Sequence, residues 1–315
     1  MSKKVLITSR SFGQVSDEPL NILKDNGFEV DFENGKYEEE KFLQVIGNYD
    51  ALIIGAHEFS QKAVEKANKL KIVCKHGAGT DNIDLKAAKM NNLRVTNVPA
   101  VNSDAVADLA FSLMLDIARK VSFAAGEVKK GVWEKTIGID VCYKTLGLIG
   151  FGTIAKKVAK RAGGFGMKVV AYDPYITKVP AELAYVNLVK IEEVLQQADF
   201  LSIHVPLNDE TRNLIDKKQM EMMKKGSFII NTSRGGIVNE KALFDCLKNG
   251  QLSAAGLDVM EKEPPTGNPL LVLNNITILP HIGMYSKEAI NAVSLICSQN
   301  VVKVLNGQQP ENIVI

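Results

Sequence analysis

Four stretches of this 315-residue chain carry residue types that chemistry needs. The first, TLGLIGFGTIAKKVAKRAGGFGMKVVAYD, runs from Thr145 to Asp173. It places an apolar run, Leu146 to Ile149, before the turn Gly150-Phe151-Gly152-Thr153-Ile154-Ala155, then a helix-like segment, a second apolar run, Val169 to Tyr172, and an acid. That order matches a dinucleotide fingerprint: Gly150 permits the turn, Gly152 lets backbone approach a pyrophosphate, and the small Ala155 packs helix on strand. The pyrophosphate is expected at the positive helix N-terminus. Asp173 is placed to accept hydrogen bonds from ribose hydroxyls, and because a carboxylate repels a 2′-phosphate, NAD is favoured over NADP. The runs Gly77-Ala78-Gly79 and Gly163-Gly164-Phe165-Gly166 lack this context.

The other three stretches each follow an apolar run. They are Asn231-Thr232-Ser233-Arg234-Gly235-Gly236, Glu261-Lys262-Glu263-Pro264-Pro265 and Pro280-His281-Ile282-Gly283. Ligands of open α/β sheets bind beyond the carboxyl ends of the strands, so Arg234, Glu263 and His281 are expected at one rim beside the cofactor. Each alone is a weak signal, since a lone Arg or Glu is normally a surface charge. His204, inside an apolar strand, reads as a core histidine, whereas His281 sits just past a strand end and Glu263 is restricted to extended conformations by the prolines after it.

These residues need a scaffold of strands and helices in alternation. Residues 1 to about 99 supply apolar runs at Val5 to Thr8, Phe28 to Phe32, Ala51 to Gly55, Ile72 to Cys74 and Arg94 to Val98, separated by helix-like segments. Further runs lie at 146–149, 169–172, 200–205, 228–230, 254–259 and 276–279. The rhythm predicts an α/β fold of doubly wound parallel sheets. Pro99 ends the first unit, and Asn102-Ser103 can cap a helix whose apolar stripe (Val106, Leu109, Ala110, Leu113, Met114, Ile117) is widened by Phe111 and Leu115. So wide a stripe is expected to be covered on two sides, making this helix a link and a candidate dimer contact. Ser286 caps a closing helix stopped by Gly307. In the first unit the loop Lys75-His76-Gly77-Ala78-Gly79-Thr80-Asp81-Asn82 follows a strand, where glycine-rich backbone can present N–H groups to a small anion; a strand-to-helix turn with a solvated Lys is the alternative.

Composition bounds the rest. The chain is 46% hydrophobic with a formal net charge of +2, and its lysine pairs are scattered, so no nucleic-acid or membrane partner is expected. The four cysteines, Cys74, Cys142, Cys246 and Cys297, lie far apart without metal-ligand spacing. They read as reduced thiols of a cytoplasmic protein with no metal. The opening apolar run is too short for a signal peptide, and no stretch approaches a membrane span.

The motifs together, KHGAGTDNIDL, VPAVNSDAVADLAFSLMLDIAR, GLIGFGTIA, AYDPY, HVPLNDETRNLI, NTSRGGIVNEKAL, AAGLDVMEKEPP and LPHIGMYS, span nearly the whole chain. In them the chain resembles the D-isomer-specific 2-hydroxyacid dehydrogenase family, and within it short bacterial members acting on 3-phosphoglycerate. The resemblance implies two Rossmann-like domains, an NAD domain (100–285) inserted into a flavodoxin-like substrate domain (1–99 plus 286–315), usually as a homodimer. It implies Arg234 as the arginine that binds the substrate carboxylate and polarises its carbonyl, His281 as the acid/base, and Glu263 as its paired carboxylate. Chemistry agrees, because hydride transfer to a carbonyl carbon builds charge on oxygen that a proton donor and a fixed cation must meet. An adjacent carboxylate favours the protonated imidazole. The resemblance further implies Gly150, Gly152, Thr153 and Ile154 at the pyrophosphate, Asp173 at the ribose, Val205 near the adenosine, Thr232 and Asp258 near the nicotinamide, and Lys75, Gly77, Ala78 and Gly79 at a small 2-hydroxyacid or 2-oxoacid substrate.

Departures from the family pattern bear on the substrate. Thr153 stands where many members carry Arg, Tyr143 replaces a glycine, and Gly55-Ala56-His57 stands where larger phosphoglycerate enzymes place an arginine. Lys75 and His57 are the basic candidates for a phosphate, no regulatory domain is expected after residue 315, and glyoxylate and hydroxypyruvate remain rival substrates. An NAD-sensing corepressor with the same three residues is the alternative from another class.

Overall fold

The computed structural model describes residues 2–33 and 37–315. The chain folds as two compact units, residues 1–102 with Met284–Ile315, and Ser103–Gly283. The sequence reading divides the chain at 99/100 and 285/286. In the structure residues 100–102 stay with the first unit because the next helix begins only at Ser103, and residues 284–285 already lead into the last helix.

In the first unit, strands β1 (Lys4–Ile7), β2 (Glu29–Phe32), β3 (Ala51–Ile54), β4 (Ile72–Lys75) and β5 (Arg94–Thr96) alternate with helices α1 (Glu18–Asp25), α2 (Glu39–Val45), α3 (Gln61–Lys66) and α4 (Leu85–Met90). All pairings are parallel, in the order β2-β1-β3-β4-β5. This is the flavodoxin-like order. The central strands are apolar runs because both sheet faces are covered; Ala51, Leu52, Ile53 and Ile54 are all fully buried. After the second unit the chain returns as α11 (Lys287–Leu305), capped by Ser286, whose Oγ accepts the Ala289 N–H at 3.1 Å. Its Val293, Cys297 and Val301 are fully buried and share a core with Val5, Ile7, Ile53, Ile72 and Cys74. Burial of each such aliphatic side chain is worth on the order of 2 kcal/mol, so docking of α11 is a major part of this unit's stability.

The second unit opens with α5 (Ser103–Arg119) and α6 (Val121–Lys129). Strands β6 (Thr145–Ile149), β7 (Lys168–Tyr172), β8 (Val186–Leu188), β9 (Phe200–Ile203), β10 (Ser227–Asn231), β11 (Leu252–Leu257) and β12 (Ile276–Ile278) follow, with α7 (Thr153–Gly164), α8 (Ile191–Gln197), α9 (Lys217–Met222) and α10 (Glu240–Lys248) between them. The order β12-β11-β10-β9-β6-β7-β8 reverses direction between β6 and β9. This is the Rossmann switch point, where a dinucleotide binds.

The wide stripe of α5 has its cover within its own unit. Phe111, Leu113, Met114 and Ile117 join a core with α7 and strands β6, β7, β9 and β10, while salt bridges from Arg161 to Asp104 and Asp108 and from Lys157 to Asp104 fasten α5 to α7 along the surface. No second copy is needed to bury this stripe. Several of the apolar side chains left in solvent lie on α6 and the segment after it, with Val121 56%, Trp133 88% and Ile137 87% exposed. Among the described residues, no helix is long and apolar enough to cross a membrane.

Candidate active site

At the switch point β6 ends and the chain turns through Gly150 at φ +86°. A Cβ there would lie 2.4 Å from the His204 carbonyl oxygen and 2.9 Å from Val205 Cγ1, so both the backbone angle and the close approach of the strand-β9 end require glycine. Gly152 differs: it is the N-cap of α7, and a Cβ on it would meet no protein atom within 4 Å. Its bare backbone keeps open the approach to a helix terminus that attracts anions. Thr153 follows as the first residue of α7, and Ile154 packs partly against the core beneath.

Asp173, just after β7, is set by the same turn. One carboxylate oxygen accepts the Phe151 N–H at 2.8 Å and the other the Tyr175 N–H at 2.9 Å. The remaining lone pairs can take ribose hydroxyls. Thr232, beyond β10, is only 8% exposed, and its hydroxyl has no partner among the described residues. A buried polar atom left unpaired within the protein points to a ligand group. The open helix terminus, the oriented carboxylate and the orphaned hydroxyl together fit a dinucleotide. His204 takes no part: its Nε2 lies 2.8 Å from Ser202 Oγ, and burial pushes its pKa down to about 4.

The three residues nominated for the chemistry, Arg234, Glu263 and His281, follow adjacent strands of the same sheet, β10, β11 and β12. Arg234 sits on a loop whose backbone is fixed from both sides. Asn231 donates its amide to the Arg234 carbonyl at 2.8 Å and accepts the Ser233 N–H at 3.0 Å. Behind it, a Cβ on Gly235 would lie 2.0 Å from the Met260 carbonyl oxygen. Only glycine lets the arginine loop cross there. Met260 in turn donates its N–H to Glu263 Oε1 at 3.1 Å, so the arginine loop and the glutamate loop are joined through one residue.

Glu263 Oε2 lies 2.9 Å from His281 Nδ1. Burial pushes the Glu263 carboxyl up, but the bond and charge of His281, the Met260 N–H and the Arg234 charge together outweigh it and hold the group below the usual carboxylate range. The side chains of His281 and Glu263 are 48% and 40% exposed, so this pair adds little to stability. With Nδ1 committed to Glu263, only Nε2 is left to exchange a proton. His281 itself sits at φ +54°, an unusual angle for a residue with a Cβ. The turn is held by Asp258, 1% exposed, whose carboxylate accepts the Ile282 and Gly283 N–H groups at 2.7 Å each. Beside the dyad lies an apolar cavity of about 420 Å³, walled by Met260, Pro264, Leu271, Leu279 and the dyad itself.

In the first unit, Lys75 at the end of β4 donates to the Gly55 carbonyl at 2.6 Å and to Asn82 Oδ1 at 2.8 Å, which fixes its ammonium. Gly77 has φ +143° and accepts the Val98 N–H at 2.8 Å, and the Ala78 carbonyl accepts from the Asn97 side chain at 2.6 Å. His57 does not serve as a second cation. Its Nδ1 faces the Glu58 carbonyl at 3.0 Å and must donate, its Nε2 lies 2.7 Å from Thr8 Oγ1, and its ring stacks on Tyr37 at 4.2 Å. Burial lowers its pKa, with the nearby Lys75 charge adding to the effect. Sequence alone hides this, because the stacking partner is twenty residues away in the chain. The parts that Asn231, Gly235 and Asn82 play in holding these loops also escape the sequence reading, although each lies in a stretch it singles out; only Asn231, at the end of β10, carries a signal, as a side chain that mimics a turn.

A Rossmann sheet with a dinucleotide turn at its switch point, and Arg, Glu and His on the neighbouring strand ends, defines a dinucleotide-binding α/β protein. The model for the NAD-binding domain of D-isomer-specific 2-hydroxyacid dehydrogenases matches residues 111–283, and the chain belongs to that family. It is 41% identical over 99% of its length to a D-3-phosphoglycerate dehydrogenase of Methanocaldococcus jannaschii, of which it spans 59%. A hydroxypyruvate reductase of Thermotoga maritima is 38% identical, with 92% of this chain and 95% of that protein covered. The apo-structure of D-lactate dehydrogenase from Escherichia coli superposes with a TM-score of 0.87 at 28% identity, covering 99% of this chain and all of that one.

Proposed function

We propose that the protein is an NAD-dependent oxidoreductase interconverting a 2-oxoacid and a D-2-hydroxyacid. The observation that carries this reading is the His281–Glu263 pair at 2.9 Å, following strands adjacent to the one that presents Arg234. Gly150, Gly152, Thr153 and Ile154 hold the pyrophosphate of NAD, Asp173 the ribose, Val205 the adenosine side, and Thr232 and Asp258 the nicotinamide side. Reduced NAD held there would supply the hydride for the carbonyl carbon. Arg234 grips the substrate carboxylate, for which a guanidinium fork is suited, and its charge favours the oxyanion that develops. His281 gives its Nε2 proton to that oxygen, and Glu263 keeps the ring oriented and compensates its charge; in the oxidative direction His281 takes the hydroxyl proton back.

For the substrate we favour phosphohydroxypyruvate and 3-phosphoglycerate, with glyoxylate and hydroxypyruvate as the competing reading. Beside Gly77, whose own N–H donates to the Lys75 carbonyl at 2.9 Å, Ala78 and Gly79 offer backbone N–H groups to a carboxylate, and Lys75 is the fixed cation for a distal phosphate. The test is NADH oxidation over these 2-oxoacids with Lys75→Ala alongside. The phosphorylated substrate should be preferred, and Lys75→Ala should raise its KM about tenfold while sparing hydroxypyruvate, since binding at a remote group appears in KM. A preference for hydroxypyruvate, with all substrates equally impaired in the variant, overturns the phosphate assignment. Turnover of none, with tight NADH binding, favours the corepressor reading.

We further propose a homodimer. Val121, Val128, Trp133 and Ile137 form a run of exposed apolar side chains of the kind that marks an interface. Sedimentation should find the wild type dimeric and a Trp133→Ser/Ile137→Ser double variant monomeric; a monomeric wild type at micromolar concentration refutes it.

A further inference from the structure

His76 lies between the cation Lys75 and Gly77, at the head of the loop that we read as the substrate carboxylate site, yet it is only 4% exposed. Its ring therefore cannot be a solvated neighbour of that site. Nε2 lies 2.8 Å from Ser294 Oγ on α11, and Nδ1 lies 3.0 Å from Ser9 Oγ on the loop after β1, with Ser11 Oγ at 3.5 Å. The edge of Phe12 closes the remaining side, with ring centroids 5.9 Å apart. One imidazole thus ties the loop to two elements, α11 and the segment after β1.

The hydrogen-bond pattern determines which nitrogen carries the proton. Ser294 Oγ donates to the Ile290 carbonyl at 2.7 Å, so toward His76 it can only accept, and Nε2 must be the donor. Nδ1 then accepts from Ser9. One turn further along α11, Cys297 Sγ donates to the Lys75 carbonyl at 3.6 Å, so the same helix face holds the backbone on either side of the His76 amide. At the other end, a Cβ on Gly55 would approach Ser9 Cα to 3.0 Å, and the Gly55 carbonyl is an acceptor for Lys75. The ends of β1, β3 and β4 and the face of α11 form one connected network with His76 at its centre.

We propose that His76 is a positioning residue, which sets the Lys75–Gly79 loop in the conformation that receives the substrate by anchoring it to Ser294 and Ser9. The proposal rests on the reading of that loop as the substrate site, and it assigns the anchor to a neutral imidazole that touches neither substrate nor cofactor. Leucine at 76 keeps the volume and loses both bonds. Glutamine places an amide N–H₂ where Nε2 stands and restores the bond to Ser294.

The test compares His76→Leu, His76→Gln and Ser294→Ala in two measurements. In steady-state reduction of the preferred 2-oxoacid, His76→Leu should raise KM on the order of tenfold with kcat within about twofold, because a misplaced binding loop costs affinity more than chemistry. His76→Gln should return KM to near the wild-type value, and Ser294→Ala should fall between. In amide hydrogen exchange without substrate, residues 75–80 should exchange at least about tenfold faster in His76→Leu and recover in His76→Gln. Unchanged exchange in His76→Leu, a loss confined to kcat, or a glutamine variant no better than leucine overturns the proposal. If the wild type reduces no 2-oxoacid the substrate reading falls instead, and the exchange measurement alone decides the anchor. Should His76→Leu not fold, Ser294→Ala decides both readouts.

Discussion

His281→Ala should lower the rate of 2-oxoacid reduction by on the order of 10²–10⁴ at every pH, the loss expected of a general acid, with NADH affinity nearly unchanged. Two features keep this effect chemical. The turn after His281 is gripped through the Ile282 and Gly283 N–H groups by Asp258, independently of the imidazole. The left-handed backbone at position 281 can be tested separately with His281→Asn, since asparagine adopts φ > 0 readily. If asparagine restored activity, strain rather than proton transfer would be the cause of the loss. Glu263→Gln should behave differently, keeping much of the rate at low pH but moving the upper limit of the profile downward. The sign follows from the Glu263 carboxyl, which its bond to His281 helps to hold below the usual range. A neutral amide at 263 removes the negative charge that faces the imidazole and compensates it when it carries the proton to be delivered. The depressed Glu263 pKa also implies a contribution to stability that is present above the unfolded carboxyl pKa and lost as pH falls through the folded one. For a pair this exposed that contribution is small. A pH–rate profile for Glu263→Gln superimposable on the wild type would break the pairing.

Arg234→Ala should cost about 10²–10³ in kcat/KM for every 2-oxoacid, because one side chain both binds the carboxylate and stabilises the developing oxyanion. Arg234→Lys should recover only part, since an ammonium keeps the charge but not the planar fork. The loop itself should survive either change. Its backbone is held by Asn231 on one side and by the Gly235 crossing of Met260 on the other, neither of which uses the guanidinium. Melting temperature and NADH affinity should therefore stay near wild type while the 2-oxoacid kinetics collapse. A variant that loses cofactor affinity in proportion to substrate turnover would show that Arg234 supports the fold of the site.

Much of this architecture was legible because parallel strands covered on both faces must be apolar along their whole length. Ala51–Ile54 and Phe200–Ile203 are continuous buried runs, and their spacing announces helices between them. β8 was missed for the same reason in reverse. Val186–Leu188 is a three-residue edge strand with one buried residue, and its sequence looks like a loop. Arg234, Glu263 and His281 could be nominated because each follows a strand. What sequence could not disclose is how they are held: Gly235 matters only because Met260 crosses it, and Asp258 because its oxygens reach Ile282 and Gly283. His57 looked basic until its stacking on Tyr37 and its two committed nitrogens were visible.

The first unit is made of two pieces of chain separated by the whole of Ser103–Gly283. During synthesis the ribosome delivers β1, β3 and β4 before the insert, but the residues that cover one face of them, Val293, Cys297, Val301 and Val304 of α11, only after it. The inserted unit is continuous and can complete its core while that face still lacks its cover. The unit that is begun first is therefore the one whose core closes second, and its early strands wait uncovered for at least the time needed to translate the insert.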